Sequence, residues 1–260
     1  MTRNEFEEKY ISELTFDEPI NIGGINLYPV PLKNYYKFNM YTMVLTIKKD
    51  RIPDKKIITM SYMEYLANLI IAEKTMDDSE KIMTYCFASL LKEVLRDDNA
   101  YFEIRKNKNN KRYFVINGIE FTAKMFNDFK DIVLFQNIPN YDGIELNEDL
   151  EKDIMEADRI RNMGKKSCSL EKQIMSASVE TSLPLESIKE LTIRKFFILI
   201  EMKDKEISYK IAKSAELSGM VTFKEEIQHY LTEKETTSLD GKIISYDKLQ
   251  QKLGSVSKFN

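Results

Sequence analysis

The stretch from Ser187 to Gly219, SIKELTIRKFFILIEMKDKEISYKIAKSAELSG, constrains this chain more than any other. Ile193, Phe197, Ile200, Ile207 and Ile211 recur at helical spacing, flanked by Phe196, Leu199 and Ala215. Such recurrence specifies an amphipathic helix, and Gly219 stands where glycine best terminates one. Upstream, Ser182 and Pro184 supply the cap and the proline that open helices. The helix carries no side chain suited to catalysis, so the best organised part of the sequence is built to pack or to bind.

A chain of 260 residues can bury one large or two small cores. Two lobes are expected: an α+β lobe over 1–140 and a helical lobe over 141–260, with a linker near 163–169 and a weakly ordered tail after 235. The first is read as a helix-rich N-terminal lobe with a small antiparallel sheet, the second as an all-helical C-terminal lobe.

In the first lobe a polar helix over Asn4–Leu14 precedes INIGGINLYPV, where Gly23-Gly24 centres two short strands around a tight turn. Pro31 then opens an aromatic-rich buried helix over Leu32–Ile47, followed by apolar helices over Ile57–Ala72 and Glu80–Leu95, the latter capped by Asp78-Ser79. YFEIRK, the turn NKNN and RYFVI read as a hairpin. Asn117-Gly118 turns the chain into IEF, and Thr122 caps a helix over Ala123–Gln136.

Beyond Gly143 the composition changes. Between Glu145 and Asp158 seven acids face one lysine, with a thin apolar stripe at Leu146, Leu150, Ile154 and Ala157. Acids near a helix start suit the macrodipole. The segment is either a solvated connecting helix or a partner-docking one. A short helix over Leu170–Ala177 then leads to the turn at Ser182.

The chemistry of sites is sparse. His229 is the sole histidine, and Cys86 and Cys168 lie far apart in sequence, which leaves no zinc-ligand spacing and no G-x-S-x-G nucleophile turn. Gly164-Lys165 and Gly241-Lys242 lack the upstream glycine of a phosphate-binding loop. Glu201-x-Lys203 falls inside the long helix, and Asp77-Asp78 and Asp97-Asp98 fall at helix borders where aspartate caps. No catalytic residue, metal site or cofactor is expected, and both cysteines are expected reduced.

Formal net charge is −3, from 42 acids and 39 bases spread along the chain, so no basic stripe exists to neutralise phosphates. Leu170–Ala177 followed by Leu185–Lys195 has the outline of a helix-turn-helix, but Glu186 and Glu190 on its second helix would meet DNA phosphates badly. No apolar run approaches the roughly 20 residues that span a bilayer, and MTRNEFEEKY lacks the apolar core of a signal peptide. Neither nucleic acid nor membrane is an expected partner.

The segments PINIGGINLYPVPLKNYYKF, RIPDKKIITMSYMEYL, FVINGIEF, LFQNIPNYD, LTIRKFFILIEMKDKEISYKIAKSAELSGMVTFK and IQHYL, in that order, resemble proteins encoded in the tail-morphogenesis regions of tailed phages and prophages of low-GC Gram-positive bacteria. The nearest functional group is the baseplate-hub or tail-assembly chaperone family of contractile-tailed phages. The resemblance implies a non-enzymatic assembly factor of the host bacterial cytoplasm. It would bind a hub or tape-measure protein transiently and without cofactor. A structural tail or baseplate subunit retained in the virion and a DNA-binding regulator are the alternatives, and a homo-oligomer stays open. The family supplies no binding motif, so partner contacts are placed on physical grounds at Met220, Val221 and Phe223 after the long helix and at Leu150 and Ile154 in the acidic one.

Overall fold

The computed structural model describes residues 2–74, 81–139, 141, 143, 148–161, 168–219, 221–223 and 226–232. Its architecture is the expected α+β class, helix-rich with two small antiparallel sheets. Regular elements after residue 143 are helices only, among the described residues.

Two helices open the chain, α1 (Arg3–Lys9) and α2 (Ile11–Phe16), in place of the single helix expected over Asn4–Leu14. The break is at Tyr10, whose φ of −120° leaves the helical basin. Strands β1 (Ile20–Ile22) and β2 (Ile25–Leu27) pair around Gly23-Gly24 as expected, both glycines at positive φ. A Cβ at Gly23 would collide with Met125. The expected helix over Leu32–Ile47 is divided: 3-10 turns at Leu32–Asn34 and Thr42–Leu45 flank α3 (Tyr35–Tyr41). Likewise α4 (Lys55–Thr59) and α5 (Tyr62–Lys74) replace one helix, because Met60 is extended at ψ 154°.

Helix α6 (Ile82–Leu95) follows, with the expected Asp78-Ser79 cap lying outside the described residues. Strands β3 (Phe102–Lys106) and β4 (Arg112–Ile116) form the expected hairpin, and Asn117-Gly118 returns the chain to β5 (Ile119–Glu120). Thr122 caps α7 (Ala123–Asn137) as read from sequence, its Oγ1 accepting from Met125 N at 3.1 Å. Then come α8 (Glu148–Arg161), α9 (Leu170–Thr181), α10 (Leu185–Glu190) and α11 (Ile193–Leu217). The long helix thus begins at Ile193 rather than Ser187, because Leu191 at ψ 148° separates α10 from it. Gly219 ends it at φ +70°, the left-handed conformation glycine adopts without strain. Ser182 makes no cap. It takes positive φ, while Leu183 N donates to Thr181 Oγ1 at 3.3 Å.

The main core lies between the three-stranded sheet and α5, α6 and α7, and it is aromatic. Phe87, Phe114 and Phe126 are fully buried; ring centroids are 4.8 Å apart for Phe87–Phe114 and 5.3 Å for Phe114–Phe126. Phe102, Phe121 and Phe129 extend the cluster in tilted and edge-on contacts. Offset and edge-to-face rings add to the stabilisation that their buried area supplies.

Compact units divide the chain differently from the expected 1–140 and 141–260. Residues 170–200 belong with 1–144 in one unit, and residues 145–169 and 201–260 form the other. The linker expected near 163–169 is described only at Cys168 and Ser169, and the tail after 235 lies outside the described residues.

What draws residues 170–200 into the first unit is the backbone of Tyr28–Leu32, sequence YPVPL. With proline at 29 and 31 the segment has only three N–H donors, on Tyr28, Val30 and Leu32, and Pro29, Val30 and Leu32 are buried. A buried donor left without an acceptor is costly. Each one is met by a different distant element. Tyr28 N donates to Val94 O at 2.7 Å, Val30 N to Asn137 Oδ1 at 2.7 Å, and Leu32 N to Leu191 O at 2.8 Å. In return Val30 O accepts from Ile193 N at 3.0 Å and Pro29 O from Arg96 Nη2 at 3.1 Å. Pro31 and Thr192 form the resulting antiparallel bridge. Leu32, Ala177, Ile188 and Phe196 close a small second core beside it.

Two stability measurements follow. Phe126→Ala should lower the unfolding free energy by about 3–5 kcal/mol in urea titration, as for a fully buried ring. Asn137→Ala removes little volume but strands the buried Val30 N–H, and should cost about 1–3 kcal/mol by the same titration.

Candidate partner-binding surface

Helix α11 is 25 residues long, yet its buried residues are Ile193 and Phe196, both in its first turns. From Glu201 onward it belongs to the second compact unit, and no residue there is buried. An amphipathic helix ordinarily owes its stability to an apolar face packed in a core. Here that face stays open: Ile207 and Ile211, one turn apart, are 41% and 66% exposed.

Ion pairs along the helix supply local support. Glu201–Lys205 and Glu206–Lys210, both at 2.6 Å, have the acid N-terminal at i,i+4, the favourable order. Lys203–Glu206 and Lys213–Glu216, both at 2.9 Å, add i,i+3 pairs. Glu206 accepts from Lys210 and Lys203 together, and these two hydrogen bonds hold its carboxyl at about 2, well below the usual 4.5. Beyond the helix, His229 and Tyr230 pack on Tyr209, with ring centroids 5.0 Å and 5.8 Å away, and His229 and Tyr230 are 4.5 Å apart. His229 Nδ1 accepts from Leu231 N at 3.3 Å.

Of the residues singled out from sequence, Val221 and Phe223 are exposed in a segment without helix or strand. Ile154 is half-buried on α8. Met220 lies outside the described residues, as does the side chain of Leu150, whose backbone is helical. Both groups fall in the second compact unit. The sequence reading missed Ile207, Ile211 and Leu217 as surface. Their helical spacing was visible, but spacing records that a face is apolar and not that it is covered. The ring cluster around Tyr209 had no sequence signal, since twenty residues separate Tyr209 from His229.

Among the described residues no cluster of three or more His, Cys, Asp or Glu is placed to hold a metal ion. Cys86 is buried, which pushes its thiol up from the ordinary value, and Cys168 is exposed. On the helix-turn-helix outline, α10 spans six residues, its Ile188 is buried in the small core, and its Glu190 pairs with Lys33 at 2.9 Å. Among the described residues no helix is long and apolar enough to cross a membrane. Compared with protein-family models, curated proteins and solved structures, the chain finds no match.

Acid should act on α11 through Glu206. Because its folded pKa is depressed, its contribution is fully present above about pH 4.5 and is lost as pH falls through about 2. Helical circular dichroism should therefore decline over that window, and Glu206→Gln should show a smaller decline from a lower neutral-pH value.

Proposed function

We propose that this chain is a non-enzymatic assembly factor of phage tails or baseplates, a chaperone-like protein that binds a hub or tape-measure protein. The phage assignment rests on the sequence resemblance. The observation that carries the binding mode is the unburied second half of α11. A stretch of helix with Ile207 and Ile211 exposed on one stripe is suited to an apolar client segment, as in helix-in-groove recognition. Val221 and Phe223 extend the apolar surface along the chain.

The mechanism is shielding and release. A client segment laid on residues 201–217 would be kept from aggregating until its permanent partner arrives. Dissociation must then be easy, which calls for micromolar rather than nanomolar affinity, a difference of about 4 kcal/mol. A helix supported by its own ion pairs suits that role, because the surface is preformed and little ordering opposes binding.

Co-expression with the neighbouring tail genes followed by affinity capture tests the reading. The wild-type chain should retain a hub or tape-measure protein, and the pair Ile207→Asp with Ile211→Asp should reduce retention at least about tenfold. Both residues are exposed, so the thermal midpoint should stay close to wild type. Purified virions analysed by mass spectrometry should contain the chain at trace level or not at all. Stoichiometric presence would instead establish a structural subunit, and failure to retain any tail protein would defeat the proposal.

A further inference from the structure

The three-stranded sheet runs in the order β3-β4-β5, so β3 has a strand on one side only. What its other edge presents follows from hydrogen-bond parity. Asn107 N donates to Lys111 O at 2.9 Å and Asn117 N to Tyr101 O at 3.1 Å, so in the continuous β3–β4 register the odd-numbered residues of β3 bond to β4. The N–H and C=O groups of Phe102, Ile104 and Lys106 therefore point away from β4, and they meet no hydrogen-bonding partner among the described residues. The open stretch ends where Ala100 N donates to Asp97 O at 3.0 Å and, at the other end, at the turn from Asn107 to Lys111. Neither proline nor a bulge interrupts its five residues. By comparison β5 spans two residues and β1 and β2 three each.

Such an edge is a template for a further strand, and charged side chains ordinarily blunt it. Glu103 and Arg105 are exposed on one face of β3, with Arg105 Nη2 2.7 Å from Glu103 and Arg105 Nη1 3.9 Å from Glu120. In water these pairs contribute little to the single chain. They discriminate sharply, however, between ways of laying β3 on another copy of itself. Antiparallel pairing centred on Ile104 sets Glu103 opposite Arg105 of the second copy, twice by symmetry, at the close-spaced positions that do not exchange hydrogen bonds. Moving the centre one residue either way sets Glu103 on Glu103 or Arg105 on Arg105, and like charges directly opposite are destabilising. The charges thus favour one self-pairing and oppose its neighbours.

We infer that β3 is a homodimerisation edge, pairing antiparallel with β3 of a second copy about a two-fold axis at Ile104. The N–H groups of Phe102, Ile104 and Lys106 would donate to the carbonyls of Lys106, Ile104 and Phe102 of the other copy, and the reverse set completes the ladder. Two three-stranded sheets become one of six strands. On the face toward the core the half-buried Ile104 meets its symmetry mate, and the Lys106 stem lies beside the Phe102 ring of the second copy. The inference stands on the sheet edge alone and does not rest on the client reading of α11.

Sedimentation equilibrium of the full chain from about 5 to about 500 µM should show monomer giving way to dimer with a Kd of about 10–100 µM, weak because so short a pairing buries less than a standard interface. Glu103→Arg and Arg105→Glu, each alone, should weaken self-association at least about tenfold, since each sets like charges opposite one another. Mixed in equal amounts, the two variants should associate with each other about as the wild type does, because each supplies the charge the other lacks. Both positions are exposed, so thermal midpoints should stay close to wild type. By NMR, amide exchange at Phe102, Ile104 and Lys106 should slow as wild-type concentration rises. A monomer over the whole range, a dimer indifferent to both single variants, no recovery in the mixture, or exchange at those three amides independent of concentration would each overturn the proposal.

Discussion

The fold depends on how the segment YPVPL satisfies its backbone while buried. Alternate prolines leave Tyr28, Val30 and Leu32 as donors, and these reach Val94, Asn137 and Leu191 respectively. The N–H of Val30 is served by a buried asparagine side chain rather than by a strand, and the amide nitrogen of that asparagine donates to Val133 O at 3.0 Å. Three distant parts of the chain therefore converge on five residues. The ends of α6 and α7 and the link between α10 and α11 take their places from that convergence. Arg3 adds a related anchor at the end of α7, donating to the carbonyls of Ile138, Pro139 and Tyr141.

This arrangement explains why α11 is a helix of two characters. Its first turns are tied to Val30 through Ile193 N and packed through Ile193 and Phe196, so its start is fixed by the core. Past Ile200 no residue is buried, and its charged side chains pair with one another. Long-range packing and local ion pairing stabilise successive parts of one continuous element. Surface pairs are individually weak, and a helix held by several of them can be open to a partner while already having the right shape.

Local features with a strong chemical cause were legible in the sequence. Thr122 caps because its hydroxyl can serve a free amide, Asn117-Gly118 turns because both residues tolerate positive φ, and Gly219 stops α11 for the same reason. The breaks at Tyr10 and Leu191 were not legible, since aromatic and aliphatic residues there continue the helical pattern, whereas the break at Met60 has a local signal in Ser61, whose Oγ accepts from Glu64 N at 3.2 Å at the start of α5. The affiliation of residues 170–200 was hidden for a related reason. Ile188 and Phe196 advertise a buried face, but nothing in their spacing names Leu32 as its partner. The candidate surface was half legible: Val221 and Phe223 were singled out and are exposed, whereas the spacing of Ile207 and Ile211 marks a stripe that either packs or binds without deciding between them.

Hydrogen exchange along α11, followed by mass spectrometry of overlapping peptides from the free full-length chain, tests the central claim most directly. Amides on which core packing acts exchange near the global opening free energy, and those held only by local pairing exchange far faster. Strong protection over the helical amides up to Ile200 and a steep fall over 203–217, with helical content still present by circular dichroism, is the predicted profile. Uniform strong protection from end to end would show that the second half of the helix is packed in the free protein, and would contradict the account.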